Sequence, residues 1–449
     1  MKYSWTALKG AYLSRSLECK LQDLECSYRT VDESGFFASL VNMSSSKVQP
    51  YHRWIRYREG YAGDLVKELL RRYPVSNSSW VLDPMCGSGS TLVACKEEGL
   101  NSLGLDVNPY AVLSSKVKCY TLNSKELDSC NELLELIRNS LAKNMPINYS
   151  IYDDVLSKYF EASNLGQLVS IKRCVEQITD EKLRDLFYLA LLAIVEDCSN
   201  RKKDGNGLAT RKTKISCCFS HFEAKLNSFI EDFTQYPHVN KVSSIAYCAS
   251  ATGLTVSLDK YSGNVGSMIF SPPYANSFDY FESYKMELIF GEWMTPDSLK
   301  EERKKLIRNY RLGHKKELVS DLEIVELLCE ELWDRIPLKE NETGKRDGRT
   351  RLVPNMLRTY FDDMRLVLKQ GYDVLVPGGT AHIVVDQSAY LGVAIPTDLI
   401  LAQISEFIGF EVLEVVKCRR AMTSAQQLKK YPYLKDLLRE SIVTVRKPT

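Results

Sequence analysis

The stretch "WVLDPMCGSGSTLVACKEEGLNSLGLD", residues 80–106, decides the fold. A short apolar run at 80–83 meets a turn built from small residues. Residues 90–99 then read as a helix ended by Gly99, and 103–106 as a second buried strand. Strand, helix, strand in this spacing is a β-α-β unit, which places its two strands parallel. Upstream, "DLVKELLRR" at 64–72 carries Leu65, Val66, Leu69 and Leu70 at helical spacing. Downstream, residues 120–240 are mostly helical in pattern. Strand-like runs return at 243–248, 265–270, 380–386, 410–416 and 440–446. The sum is an α/β fold with a mostly parallel sheet of about seven strands, interrupted by helical insertions.

The composition is that of a globular protein, with 449 residues, 44% hydrophobic and 26% charged. The longest apolar run, at 186–195, is too short to span a bilayer, and residues 1–16 lack a signal-peptide apolar core. No membrane partner is expected, and a cytoplasmic location is. Thirteen cysteines occur without a CxxC pair, which favours reduced thiols over disulfides or zinc. The five histidines are isolated from one another, so no metal site is expected.

Gly87 and Gly89 stand between the first strand and its helix, where small residues let backbone N–H groups approach a ligand. A dinucleotide fingerprint needs a third glycine at position 92, which is Leu92, and the Gly-Lys-Ser/Thr of a P-loop is absent. Asp83 ends the first strand and Asp106 the second. A carboxylate at 83 would repel a pyrophosphate and attract an amino group; one at 106 suits ribose hydroxyls. A ligand with an ammonium, a ribose and no phosphate satisfies both, and S-adenosylmethionine is such a molecule. The plainer alternatives are a helix cap at Asp83 and a strand-end turn at Asp106.

The second motif is "MIFSPPYANSF", residues 268–278. Pro272 and Pro273 can continue neither strand nor helix, so an apolar run ends on a stiff loop flanked by Ser271 and Tyr274. By itself this could be a surface turn. Together, "DPMCGSGST" and "SPPY" resemble the DNA amino-methyltransferases, which methylate the exocyclic nitrogen of cytosine (N4) or adenine (N6). Weaker likenesses lie at 52–70, 376–388 and 438–447.

The resemblance implies a Rossmann-like class I methyltransferase fold. It implies S-adenosylmethionine held by Asp83, Pro84, Gly87, Gly89, Asp106 and Asn108. It makes Ser271, Pro272, Pro273 and Tyr274 the catalytic loop, with Ser271 and the Pro272 carbonyl as acceptors for the amine and Tyr274 stacked on a base flipped from double-stranded DNA. The serine form of the tetrapeptide is usual among N4-cytosine enzymes. A restriction-modification setting with a cognate endonuclease is implied too. Adenine-N6 methylation, methylation of an RNA base, and a non-catalytic DNA-binding specificity subunit are the alternatives. The chain departs from the family in placing a large insertion between its second and third strands. It also has Ser250 where an acid often meets the cofactor's adenine.

On this reading the catalytic core comprises 51–119, 243–290 and 351–449. Residues 1–50 form an N-terminal segment, 120–242 a helical insertion that would recognise DNA, and 291–350 a second, basic insertion. Net charge is only +2, yet Lys and Arg gather at 201–214, 302–316 and 345–351. Such clusters are either solvated faces or phosphate contacts. Arg201, Lys202, Arg211, Arg308 and Arg311 are the DNA-contact candidates. Asn276, Phe278 and Tyr280 would line the base pocket, unless the aromatics serve the core.

Overall fold

The computed structural model describes residues 13–42, 48–57, 60–142, 155–204, 207–211, 217–239, 241–254, 258–275, 279–307, 320–421 and 423–449. Twelve strands are found among them: β1 (Thr30–Asp32), β2 (Trp80–Asp83), β3 (Asn101–Asp106), β4 (Arg201–Asp204), β5 (Gly207–Thr210), β6 (Ser244–Cys248), β7 (Val265–Phe270), β8 (Leu375–Asp386), β9 (Ser388–Tyr390), β10 (Val393–Ile395), β11 (Glu411–Arg420) and β12 (Arg439–Arg446). Eight of these form one sheet in the order β1-β11-β12-β8-β7-β2-β3-β6. β12 runs antiparallel to both its neighbours, and the remaining pairings are parallel.

The α/β class and the mostly parallel sheet are as the sequence implies; the strand count is one higher than expected. The eighth strand is β1, in the N-terminal segment. Its three residues pair with β11 in the register Val31↔Val416. The helix before it, Arg15–Ser27, buries Leu17, Leu21 and Leu24. Glu25 of that helix takes two hydrogen bonds from the Arg439 guanidinium on β12.

Side chains alternate across a strand, so a sheet covered on both sides needs apolar residues at every position. Val81, Ile269, Val384, Val416 and Ile442 enter the apolar cluster that holds Leu65, Leu69 and Ala94. Leu82, Met268, Phe270, Ile383, Val415 and Val443 enter the opposite one, with Met364, Leu368 and Leu401. Helices Gly63–Arg72 and Ser90–Glu97 therefore lie on one face, and Val353–Val374 and Thr397–Ile408 on the other.

Strand order positions the site. From β2 the chain steps outward to β3 and β6, then returns to the other side of β2 as β7. The reversal leaves a crevice beyond the carboxyl ends of β2 and β7, where open α/β sheets hold ligands.

The described part of the first basic cluster pairs as two antiparallel strands, β4 with β5. Lys203 of β4 is buried, its Nζ pairing with Glu287 and lying 3.4 Å from Glu196 Oε2. The same Nζ lies 4.2 Å from the Tyr284 ring centre. Burial pushes the Glu287 carboxyl up, and the lysine opposes that push. Replacing Lys203 by Met leaves a buried carboxylate uncompensated and should destabilise the fold by about 3–5 kcal/mol in chemical denaturation. Because this ammonium is sealed from solvent, the slope of log DNA affinity against log salt should be the same in the variant. A shallower slope would mean that Lys203 reaches phosphate.

Candidate active site

Four parallel strands end on one edge and deliver their next residues to a single cleft of about 880 Å³, counting its open mouth. β2 supplies Asp83 and Pro84, β3 Asp106 to Asn108, β6 Ala249 to Ala251, and β7 Ser271 and Pro273. The glycine turn adds Met85 to Ser88. Tyr57, Gly60, Tyr61, Ser90, Tyr280, Phe281, Leu306 and Ile307 complete the wall.

The turn is held from two sides. On the ligand side, Asp106 Oδ2 accepts the Gly87 N–H at 2.9 Å and Oδ1 that of Asn108 at 2.8 Å. Behind it, Ser115 Oγ donates to the Gly87 carbonyl at 2.9 Å, and Lys118 Nζ to the Ser88 carbonyl at 2.9 Å. Lys118 is fully buried, which lowers its ammonium to about 7. Both donors come from the helix Pro109–Lys118, capped by Asn108, whose side chain accepts the Tyr110 N–H at 3.0 Å. Gly89 has φ +90°, and a Cβ there would meet Ser115 Cα at 2.9 Å. Its glycine thus serves the close approach of that helix, and it does not line the cleft. Gly87 does line it, at φ +50°, where a Cβ would fall 2.8 Å from the Tyr57 ring.

Asp83 is a junction. Its Oδ2 accepts the Tyr61 hydroxyl at 3.0 Å and the Thr91 hydroxyl at 2.5 Å, and its Oδ1 the Met85 N–H at 3.0 Å. The Tyr61 hydroxyl also lies 3.2 Å from the Ile269 carbonyl on β7. One phenol thus links the acid of β2, the helix after the glycines and the strand that leads to the diproline loop. Burial pushes the Asp83 carboxyl up to about 7, against the three donors that lower it. Burial likewise pushes Asp106 up to about 6. A buried carboxyl and a half-buried one, both raised toward neutrality, favour a cationic or hydroxyl-bearing ligand.

The diproline loop follows β7. Ser271 and Pro273 line the cleft; Pro272 is buried and does not. Tyr274 lies outside the lining. It packs on the sheet's core, and its hydroxyl donates to Glu440 Oε1 on β12 at 3.1 Å. The next carbonyl, of Ala275, accepts the Tyr390 hydroxyl at 2.9 Å. The loop is therefore fixed from β9 and β12 as well as by its prolines. Tyr280 is in the cleft wall, while Asn276 and Phe278 lie outside the described residues.

The sequence alone did not single out Tyr57, Tyr61, Thr91, Ser115 or Lys118. Tyr57 and Tyr61 fall in the segment likened to the family, and Thr91 directly follows the glycine turn, so position was the only signal. Among the basic candidates, Arg201 donates to Thr210 Oγ1 at 2.9 Å and lies 5.6 Å from the Tyr159 ring centre. Lys202 is exposed, and Arg211 pairs with Asp197 at 3.2 Å. Arg308 and Arg311 lie outside the described residues.

A glycine turn between two strand-end acids, one strand away from a Ser-Pro-Pro-Tyr loop, is the pairing that the sequence likened to the DNA amino-methyltransferases. Comparison with known proteins agrees. Residues 45–116 match the family model described as DNA methylase. The Type II methyltransferase M.AvaI, of Nostoc sp. and of Anabaena variabilis, is 27% identical over 448 residues, covering 91% of this chain and 89% of its own. The Type II methyltransferase M.BsoBI of Geobacillus stearothermophilus is 25% identical over 462 residues, covering 92% and 89%. An rRNA methyltransferase structure, aviRa from Streptomyces viridochromogenes, aligns over 86% of this chain and 85% of its own at 8% identity, with a TM-score of 0.28. The chain is thus similar to Type II methyltransferases over nearly its whole length, and to the DNA methylase family model across the glycine turn, in line with the likeness the two motifs carry.

Proposed function

We propose that the protein is an S-adenosylmethionine-dependent DNA methyltransferase that modifies the N4 amine of a flipped cytosine within a restriction-modification system. The observation that carries this reading is that Asp83, Gly87, Asp106 and Ser271 line one cleft at the switch point of the sheet. The match to the family model described as DNA methylase supports DNA as the substrate, and the relatives, both Type II methyltransferases matched nearly end to end, support methyl transfer. The choice of cytosine rests on Ser271 at the first position of the tetrapeptide.

The residues fit the cofactor. Asp83 is a buried carboxyl facing an open cleft, suited to an ammonium; Asp106 suits ribose hydroxyls. Asn108 Nδ2 is buried with no partner among the described residues although its residue lines the cleft, a donor awaiting an acceptor. When bound, S-adenosylmethionine supplies an electrophilic methyl group.

The protein's own part is positioning. An exocyclic amine is a weak nucleophile because its lone pair is delocalised into the ring. Acceptors beside its N–H groups, the Ser271 hydroxyl and the Pro272 carbonyl, favour the pyramidal nitrogen that attacks. Ser271 is not a base at neutral pH, so the amine's proton leaves to water. Pro273 holds the loop stiff, and Tyr274 offers a ring on which the base can stack. Alignment is the main contribution.

The test is transfer of labelled methyl to duplex DNA, followed by digestion and mass identification of the nucleoside. N4-methylcytosine is expected. N6-methyladenine would overturn the choice of base, and label appearing in RNA alone would overturn DNA as substrate.

A further inference from the structure

Two residues of the cleft wall come from the second insertion. Leu306 and Ile307 follow the helix Pro296–Glu302 and the turn Arg303–Lys305, within the second insertion. They are 8% and 7% exposed. Leu306 belongs to the apolar cluster that contains Phe281 and Tyr284, and Ile307 to the one that contains Ala251 and Leu254. The pair thus contributes to both cores at the cleft.

Arg303 fixes where this pair sits. Its Nη2 donates to Glu282 Oε2 at 2.7 Å and its Nε lies 3.0 Å from Asp279 Oδ2. Asp279 in turn caps the turn of helix Tyr280–Ser283 by accepting the Glu282 N–H at 3.1 Å. The insertion is therefore fastened to the element that follows the diproline loop. Other parts of the cleft wall are apolar too, with Val107, Ala249 and Ala251. Ser250 brings no charge there, and its hydroxyl oxygen accepts the Thr252 N–H at 3.3 Å. A flat ring with no carboxylate to meet its edge would depend on such apolar surfaces for its affinity.

We propose that Leu306 and Ile307 form the wall against which the cofactor's adenine packs, and that Arg303 is the positioning residue that seats this wall on the catalytic loop's following helix. The proposal rests on the reading of the cleft as an S-adenosylmethionine site. It assigns to the second insertion a part in cofactor binding, beyond the role in gripping DNA.

Calorimetric titration of the full chain with S-adenosylhomocysteine, and with 5′-methylthioadenosine, tests it without recourse to activity. Leu306→Ala/Ile307→Ala should weaken both ligands by a similar factor of about tenfold or more, since both carry the adenine. Arg303→Gln leaves the buried Asp279 carboxylate without its guanidinium, so it should lower the melting temperature and weaken both ligands by a smaller common factor. Binding within about twofold of the parent in both variants would overturn the proposal. So would a loss confined to S-adenosylhomocysteine, which would put the wall at the amino-acid end. If the parent chain bound neither ligand, the reading of the cleft itself would fall, an outcome distinct from the other two.

Discussion

Replacing Asp83 by Asn should weaken S-adenosylhomocysteine by a hundredfold or more in equilibrium titration. The substitution keeps the volume and an acceptor for the Met85 N–H, but removes the charge. The loss of one partner from a buried, hydrogen-bonded charge pair costs about 3–5 kcal/mol, and each 1.4 kcal/mol is about tenfold in affinity. The pH dependence makes the role specific. In the free protein burial holds the Asp83 carboxyl up at about 7, so at pH 6 it is largely protonated. An ammonium ligand binds the ionised form, so affinity should fall by up to about tenfold per unit as pH drops below 7, and level off above it.

The same shift has a stability consequence of defined sign. A carboxyl raised in the folded state contributes stability present below its unfolded value near 3.8, and that contribution is lost as pH rises through 7. The ligand's ammonium compensates the charged form, so the thermal stabilisation it confers should be larger at pH 8 than at pH 6. An affinity profile that is flat through this range, or an Asp83→Asn variant that binds as the parent does, would remove Asp83 from the site.

Tyr274→Ala should lower kcat for methyl transfer to DNA by about 5–150-fold, the equivalent of the 1–3 kcal/mol that stacking on an aromatic contributes per base. S-adenosylhomocysteine affinity should be unchanged, because Tyr274 is outside the cleft lining. The variant also loses packing on the core and the bond to Glu440. Tyr274→Phe separates these effects. It keeps the ring and removes only the hydroxyl that Glu440 accepts, so it should retain most of kcat while sharing part of the loss in melting temperature. If Tyr274→Phe and Tyr274→Ala were equally slow, the hydroxyl's anchorage to β12 would be the relevant feature. If Tyr274→Ala turned over normally, the ring would have no part in holding the base.

The sheet was legible because each strand keeps its apolar run short and bounded, and because glycine, proline and acid fall at strand ends. β1 was not: "TVD" is too brief to show a period, and its partner lies in residues 415–417. Asp83, Asp106 and Gly87 were legible as neighbours because they sit on consecutive elements, where spacing alone fixes their relation. Tyr61 was not, since its hydroxyl partners come from positions 83, 91 and 269. Gly89 was expected at the ligand and is instead a packing glycine, a distinction that depends on Ser115 arriving behind it. Lys203 stood inside a basic run that reads as a solvated face. Only the fold brings Glu196 and Glu287 to it.

The pinning of Glu25 by Arg439, and of β1 by β11, bears on the order of biogenesis. Residues 15–32 leave the ribosome some four hundred residues before their partners at 411–439 exist. The helix that carries Leu17, Leu21 and Leu24 also packs on the helices Glu323–Thr343 and Thr397–Ile408, so those leucines wait some three hundred residues for a first surface and longer for the complete one. Closing so long a loop is slow, and the exposed apolar stripe is what a chaperone would hold in the interval. The segment translated early is thus among the last to be housed, and a nascent chain stalled before residue 323 should carry it unsheltered.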